Sequence, residues 1–280
     1  MVVFPNCKIN LGLNIIAKRD DGFHNLETVF LPLPMTDALE IVQSSNHATP
    51  VEFTSSGLPI AGNEKDNLCV KAYYILRRDY SQIPPVKIHL LKAIPIGAGL
   101  GGGSADGAFA LICLNKKFNL GISEGSLIQY ALQLGSDCPF FIINKPCFAQ
   151  QRGEELEEIS LGLAGYKLLL VNPGMHINTG WAFSQIKPGQ PAKSIRQVVQ
   201  QPISTWKAEL VNDFERPVVT HHPELKEIKA QLYNLGAVYA GMSGSGSSFF
   251  GIFPKEFSVD EGHFPKNYLV KEIFFQNSNP

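Results

Sequence analysis

The chain has 280 residues, 44% of them hydrophobic and 18% charged, with a formal net charge of -1. That composition excludes a disordered or low-complexity polypeptide, and the length admits one or two domains. A charge so close to zero, without a Lys/Arg block, argues against nucleic-acid or membrane-surface partners, so any anion must be held locally.

The five cysteines (Cys7, Cys69, Cys113, Cys138, Cys147) contain no CxxC pair and sit mostly in apolar runs. An odd count of that kind predicts no disulfide framework and a reducing, cytoplasmic setting. Pro5 and Lys8 interrupt the N-terminal stretch, so no signal peptide is expected. No apolar run approaches the ~20 residues that span a bilayer.

In chain order, "CKINLGLNIIAKR" alternates with Ile9, Leu11, Leu13 and Ile15 on one face and Lys8 and Asn10 on the other, which predicts a strand. A turn at Asp21-Gly22 leads into a second strand near Leu26, and "ALEIV" reads as a third. Leu68, Ala72, Ile75 and Leu76 have helical spacing, with Asp66 or Asn67 as the cap. "PVKIHLLKAIP" sets Val86, Ile88 and Leu90 against Lys87, His89 and Leu91, a half-buried strand. Helices are expected over 104–115, opened at Ser104, and 124–134, stopped at Gly135. The acidic "CFAQQRGEELEEIS" is weakly patterned. "YKLLLVNPG" is a buried strand, helical patterns follow near 179–186, 204–213 and 223–235, and "PGQP" is a looser link. "AVYAGMSGSGSSFFGIF" predicts two strands around a Gly/Ser turn, and "NYLVKEIFF" a last strand. The irregular mixture favours α+β, with a boundary near 150–160.

"PIGAGLGGGSADGA" places six glycines within Gly97–Gly107, directly before a helix. Glycines let backbone N–H groups turn toward an anion without Cβ obstruction, and the helix start adds unpaired donors and a positive dipole end. "GAGLGG" satisfies the dinucleotide pattern GxGxxG, but the preceding strand is half-polar and Pro95 intervenes, so an oxidoreductase is disfavoured. No GxxxxGK[ST] exists for a P-loop. A plain structural turn would not need so many glycines.

This loop resembles the phosphate-binding loop of the GHMP kinases, the group that includes galactokinase, homoserine kinase and mevalonate kinase. "PNCKINLGLNIIAKRDDGFHNLETVF" is similar to the branch acting on a cytidine diphosphate methylerythritol. "GMSGSGSSFFGIF" falls where the family carries a C-terminal glycine motif. The resemblance spans nearly the whole chain. It implies an N-terminal domain over 1–155 like the second domain of ribosomal protein S5 and a ferredoxin-like C-terminal domain over 156–280. It also implies transfer of a phosphoryl group from ATP, with Mg²⁺, to the 2-hydroxyl of that alcohol in the non-mevalonate route to isoprenoids. Mevalonate, homoserine or a sugar would be the substrate of another family member.

Taken alone, Lys8 reads as a solvated edge lysine and Asp137 as a loop aspartate or cap. The resemblance pairs them as the catalytic residues, Asp137 accepting the hydroxyl proton and Lys8 stabilising charge on the transferring group. It assigns ATP to Pro95, Gly97, Gly99, Leu100, Gly101, Gly102, Gly103 and Ser104, with Asn67 and Lys92 near the nucleoside and Asp106, where some relatives carry Asn, meeting phosphate through a metal or water. Ser104 is a candidate metal or phosphate contact, and no other metal ligand is named. Asn10 and Thr179 become polar substrate contacts. Phe23, His24 and Phe183 become a cytosine clamp, Phe23 standing where many relatives have Tyr and Trp181 competing with Phe183. Ser243, Gly244 and Ser245 form the second glycine loop. His221 and His222 read as surface residues. Monomer and homodimer both remain open, and a regulator that keeps the fold without turnover is the rival from another class.

Overall fold

The alternating apolar run at the N-terminus becomes a long strand. The computed structural model, describing residues 1–46, 48–258 and 261–275, opens with β1 (Val2–Val3) and β2 (Asn6–Lys18), then turns into β3 (His24–Thr36). β4 (Ala38–Gln43), β5 (Val51–Gly57), α1 (Leu68–Asp79), β6 (Val86–Lys92), α2 (Gly102–Lys117), α3 (Glu124–Leu134) and α4 (Cys138–Ile143) follow. Next come β7 (Cys147–Gln151), β8 (Glu155–Glu158), β9 (Tyr166–Asn172), α5 (Thr179–Ser184), α6 (Ile195–Val199), α7 (Ile203–Glu209), α8 (Glu215–His221) and α9 (Glu224–Asn234). β10 (Tyr239–Met242), β11 (Phe249–Pro254) and β12 (Leu269–Phe274) complete the order.

The chain forms two compact units that interleave along the sequence. Met1–Lys8, Pro32–Ile96 and Gly101–Lys145 make the first; Ile9–Leu31, Gly97–Leu100 and Pro146–Pro280 make the second. Residues 9–31 join the C-terminal stretch because β3 pairs with β7, Leu26 opposite Gln151 and Phe30 opposite Cys147.

In the first unit a sheet of order β1-β4-β6-β5 has one parallel pair, β5 with β6. α1 and α2 pack together, and α2 also packs on β4, α3 and α4. Asn67 caps α1, its side chain accepting from the Cys69 N–H at 2.9 Å. In the second unit β10-β11-β9-β12 is wholly antiparallel. Its core gathers Leu169, Val171, Phe249 and Phe253 with Leu225, Ile228 and Leu232 of α9. Leu13 and Ile15 of β2 belong to the same cluster.

Two expectations are corrected. α2 starts at Gly102 rather than Ser104, capped by Gly101 at φ 70° with no side-chain hydrogen bond. Glycine's freedom at positive φ lets backbone alone open the helix, and Ser104 falls inside its first turn. The weakly patterned acidic segment is the hairpin β7–β8. β8 ("ELEE") buries no residue, so it carries no core-facing signal. α4, α6 and α8 are also too short for their periodicity to register.

Candidate active site

β2 is buried along its first ten residues, and Lys8, the last residue of its stretch in the first unit, is buried at 4% exposure rather than solvated. Its Nζ lies 3.4 Å from Asp137 Oδ2. A buried ammonium needs a partner, and this pairing brings together residues far apart in sequence. Asp137 sits at the N-cap of α4 but makes no side-chain cap bond. Its side chain is 35% exposed, so the carboxylate faces both Lys8 and solvent. The Lys8 stem packs on the glycine loop: an added Cβ at Gly101 would lie 3.0 Å from Lys8 Cε and 3.0 Å from Phe141 Cζ.

Lys92 is buried and ion-paired twice, to Asp37 Oδ2 at 2.5 Å and Asp106 Oδ2 at 2.7 Å. Asp37 also accepts the Ala93 and Ile94 N–H groups at 2.6 and 2.8 Å. Burial pulls the Lys92 ammonium down, but the two carboxylates outweigh it and its pKa is raised. Burial pushes Asp106 up to about 7, with Asp37 adding to the rise against the pull of Lys92. Asp106 Oδ1 is buried with no hydrogen-bond partner. Asn67, Lys92, Gly103 and Asp106 line one cavity of about 360 Å³ with Phe53, Ile60 and Leu68. Four of the expected nucleotide residues therefore meet around one space.

In the second unit, Gly97 and Gly99 take φ of 64° and 77°. At Gly99 a side chain would run into the Ser243 carbonyl. Ser243 ties the two glycine motifs: its Oγ donates to Gly99 O at 2.8 Å and accepts from Asn10 N at 3.1 Å. Ser248 N donates to Ala98 O at 3.2 Å. Asn10 is buried and its side-chain amide donates to Thr28 Oγ1 at 2.9 Å. Thr179 and Ser245 share a hydroxyl hydrogen bond at 3.0 Å.

His24 stacks on Phe183, centroids 4.9 Å apart and planes 20° from parallel, while Phe183 meets Phe214 edge-on at 4.8 Å. Trp181 turns instead to His221, centroids 4.6 Å apart. Partial burial, then the Lys18 charge, holds His24 below the ordinary histidine value. The ring of Phe23 lies under Arg152.

Sequence reading missed Asp37, Asn212 and His176. Asn212 Nδ2 donates to the Met242 and Gly244 carbonyls, both at 2.8 Å, and fixes the second glycine loop. His176 packs against Gly97 closely enough to forbid a side chain there. None of the three lies in a recognisable pattern. Asp37 did leave one trace: Lys92 falls on the inward phase of β6, and a core-facing lysine calls for a buried acid.

The glycine loop opening a helix, beside a lysine–aspartate pair on an α+β scaffold, has counterparts among known proteins. The family "GHMP kinases N terminal domain" matches residues 67–145, and "GHMP kinases C terminal" matches 195–262. The class defined is an ATP-dependent small-molecule kinase. A 4-diphosphocytidyl-2-C-methyl-D-erythritol kinase of Bacteroides fragilis is 51% identical over 94% of this chain and 96% of its own length. One from Parabacteroides distasonis is 47% identical over 98% and 97%. The chain belongs to the 4-diphosphocytidyl-2-C-methyl-D-erythritol kinase family. A crystal structure of 4-(cytidine 5'-diphospho)-2C-methyl-D-erythritol kinase aligns with TM-score 0.76 and 30% identity over 90% of this chain and 89% of that one. A homoserine kinase from Cytophaga hutchinsonii, 17% identical with TM-score 0.64 over 90% and 86%, shares the fold.

Proposed function

We propose that this enzyme transfers the γ-phosphoryl group of ATP to the 2-hydroxyl of 4-diphosphocytidyl-2-C-methyl-D-erythritol. The observation that carries the reading is the Lys8–Asp137 pair at 3.4 Å, packed against Gly101 of the glycine loop. Asp137 takes the hydroxyl proton as the alcohol oxygen bonds to the γ-phosphorus. The bond from that phosphorus to the β–γ bridging oxygen breaks, and ADP leaves. Lys8 offsets negative charge on the group in transit. Positioning and electrostatics suffice, and no covalent enzyme intermediate forms.

The phosphates take the N–H groups at the start of α2, Gly101 to Ser104. The nucleoside occupies the cavity of Asn67, Lys92 and Asp106. Phe23, His24 and Phe183 hold the cytosine, with Asn10 and Thr179 as polar contacts. A His24 kept neutral at pH 7 offers the base edge one donor and one acceptor.

Mg²⁺ fits as an ion carried in by the nucleotide. Among the described residues no cluster of three or more His, Cys, Asp or Glu could hold a metal alone. Asp106 does present an unpartnered oxygen, and with the Ser104 hydroxyl it would hold such an ion, which would neutralise phosphate charge. We read the enzyme as cytoplasmic, a setting that suits five buried cysteines. Among the described residues, no helix is long and apolar enough to cross a membrane.

The test is ADP release with ATP and Mg²⁺ over a panel holding the cytidine diphosphate alcohol, mevalonate, homoserine and galactose. Turnover confined to the first is expected. Faster turnover of any other would overturn the substrate assignment.

A further inference from the structure

We propose that Arg152 is a positioning residue for the nucleobase: its guanidinium sets the ring of Phe23 so that one face is left for the cytosine. The proposal rests on the reading of Phe23 as part of the base clamp. Phe23 is 52% exposed, an unusual state for a large aromatic side chain. Its backbone is fixed: the N–H donates to Asp21 Oδ1 at 3.1 Å and the carbonyl accepts from Arg19 N at 2.8 Å. The ring is held differently. The Arg152 guanidinium carbon stands over it, 5.0 Å from the centroid. A cation over one face leaves the other for a planar ligand, giving a stack of guanidinium, phenyl and base.

Arg152 is itself held for this task. Its Nε donates to Glu154 Oε1 at 3.0 Å and its backbone N–H to Glu154 Oε2 at 2.7 Å. The preceding Gln151 adopts φ 58°, a left-handed conformation uncommon for a residue with a Cβ. Arg19 ties the two hairpin tips, donating to Asp21 from Nε and to Asn25 and Gln151 from Nη1. The turn carrying Phe23 and the turn carrying Arg152 are thereby braced. An exposed ring set in place before binding loses less freedom when the base arrives, which lowers KM without touching the chemical step.

The experiment measures kcat and both KM values for F23A, R152A, R152K, R152M and the F23A/R152A double variant. F23A should raise KM for the cytidine alcohol most. R152A should raise it about fivefold, the scale of one exposed cation–π contact, with kcat and the ATP KM unchanged. R152K should recover part of the loss, R152M should not, and the double variant should match F23A alone. An unchanged KM in F23A would overturn the clamp and the proposal together. A raised KM in F23A with a normal one in R152A would overturn the proposal alone. So would an R152A effect of equal size in the F23A background, because Arg152 would then be touching substrate directly.

Discussion

Lys8 and Lys92 are both buried strand lysines beside aspartates, and the acids they meet differ. Lys92 has two carboxylates, one of them fully buried and bonded to two backbone N–H groups. Lys8 pairs with Asp137, a carboxylate one-third exposed and uncommitted to the helix it precedes. The difference lies in the acid rather than the lysine. A carboxylate closed in on all sides is a structural lock, whereas one left open can receive a proton from an incoming hydroxyl. Burial of the lysine alone does not separate the two cases.

The largest expected effect comes from Asp137→Asn. It keeps the shape of the side chain and removes the proposed base, so kcat should fall by about a hundredfold to ten-thousandfold. The thermal midpoint should fall less than the rate, because the amide oxygen can still accept from Lys8 and no cap hydrogen bond is lost. Rate and melting measured on the same preparation check this. Turnover close to normal would remove Asp137 from the chemistry.

Lys92→Met should act first on stability. Taking the ammonium from between Asp37 and Asp106 leaves two buried carboxylates facing one another, a loss of about 3 kcal/mol or more of stability. Thermal unfolding should show it as a clear drop in midpoint. Lys8→Met, by contrast, should cost activity first, since Asp137 retains contact with water. Equal loss of stability in the two variants would erase the distinction between lock and tool.

Much of this was legible in the sequence. The strands β2, β6 and β9 announce themselves by alternation or by continuous apolar runs, and the glycine density before α2 sets that loop apart. Lys8 and Asp137 were legible only through resemblance, because a single lysine and a single aspartate carry no pattern. Asp37, His176 and Arg152 were not legible, since each gains its meaning from a partner distant in sequence: Lys92, Gly97 and Phe23. Helix α2 was placed two residues late because Ser is the usual cap, whereas here the cap is a glycine at positive φ.

Gly101→Ala sharpens the comparison at a smaller scale. The residue holds φ 70°, and the new Cβ would press on Lys8 Cε and Phe141 Cζ. Strain of about 1–2 kcal/mol should displace the Lys8 stem and lower kcat without abolishing it. Gly103→Ala, where a Cβ meets nothing within 4 Å, is the control that should leave the Lys8 environment undisturbed. A similar loss of kcat in both would mean that loop flexibility, rather than the Lys8 contact, sets the rate.

The smallest effect should come from Lys87, on the same strand as Lys92 but on its outward phase. Lys87 Nζ lies 3.1 Å from Glu52 Oε2, the lysine side chain 53% and the glutamate 31% exposed. The hydrogen bond from Lys87, helped by Ser44, holds the Glu52 carboxyl below its ordinary value. With a folded-state value lowered, whatever the pair contributes is present at neutral pH and is lost as pH falls through the carboxylate range. Water and salt screen an exposed pair, and ordering two long side chains opposes the attraction. Lys87→Met should therefore leave the thermal midpoint at pH 7 unchanged within error, in low or high salt. The strand, the residue type and the substitution are the same as in Lys92→Met, so what differs is enclosure and the second carboxylate. If the two variants lost comparable stability, enclosure of the acid could not be what separates a lysine that locks from one that works.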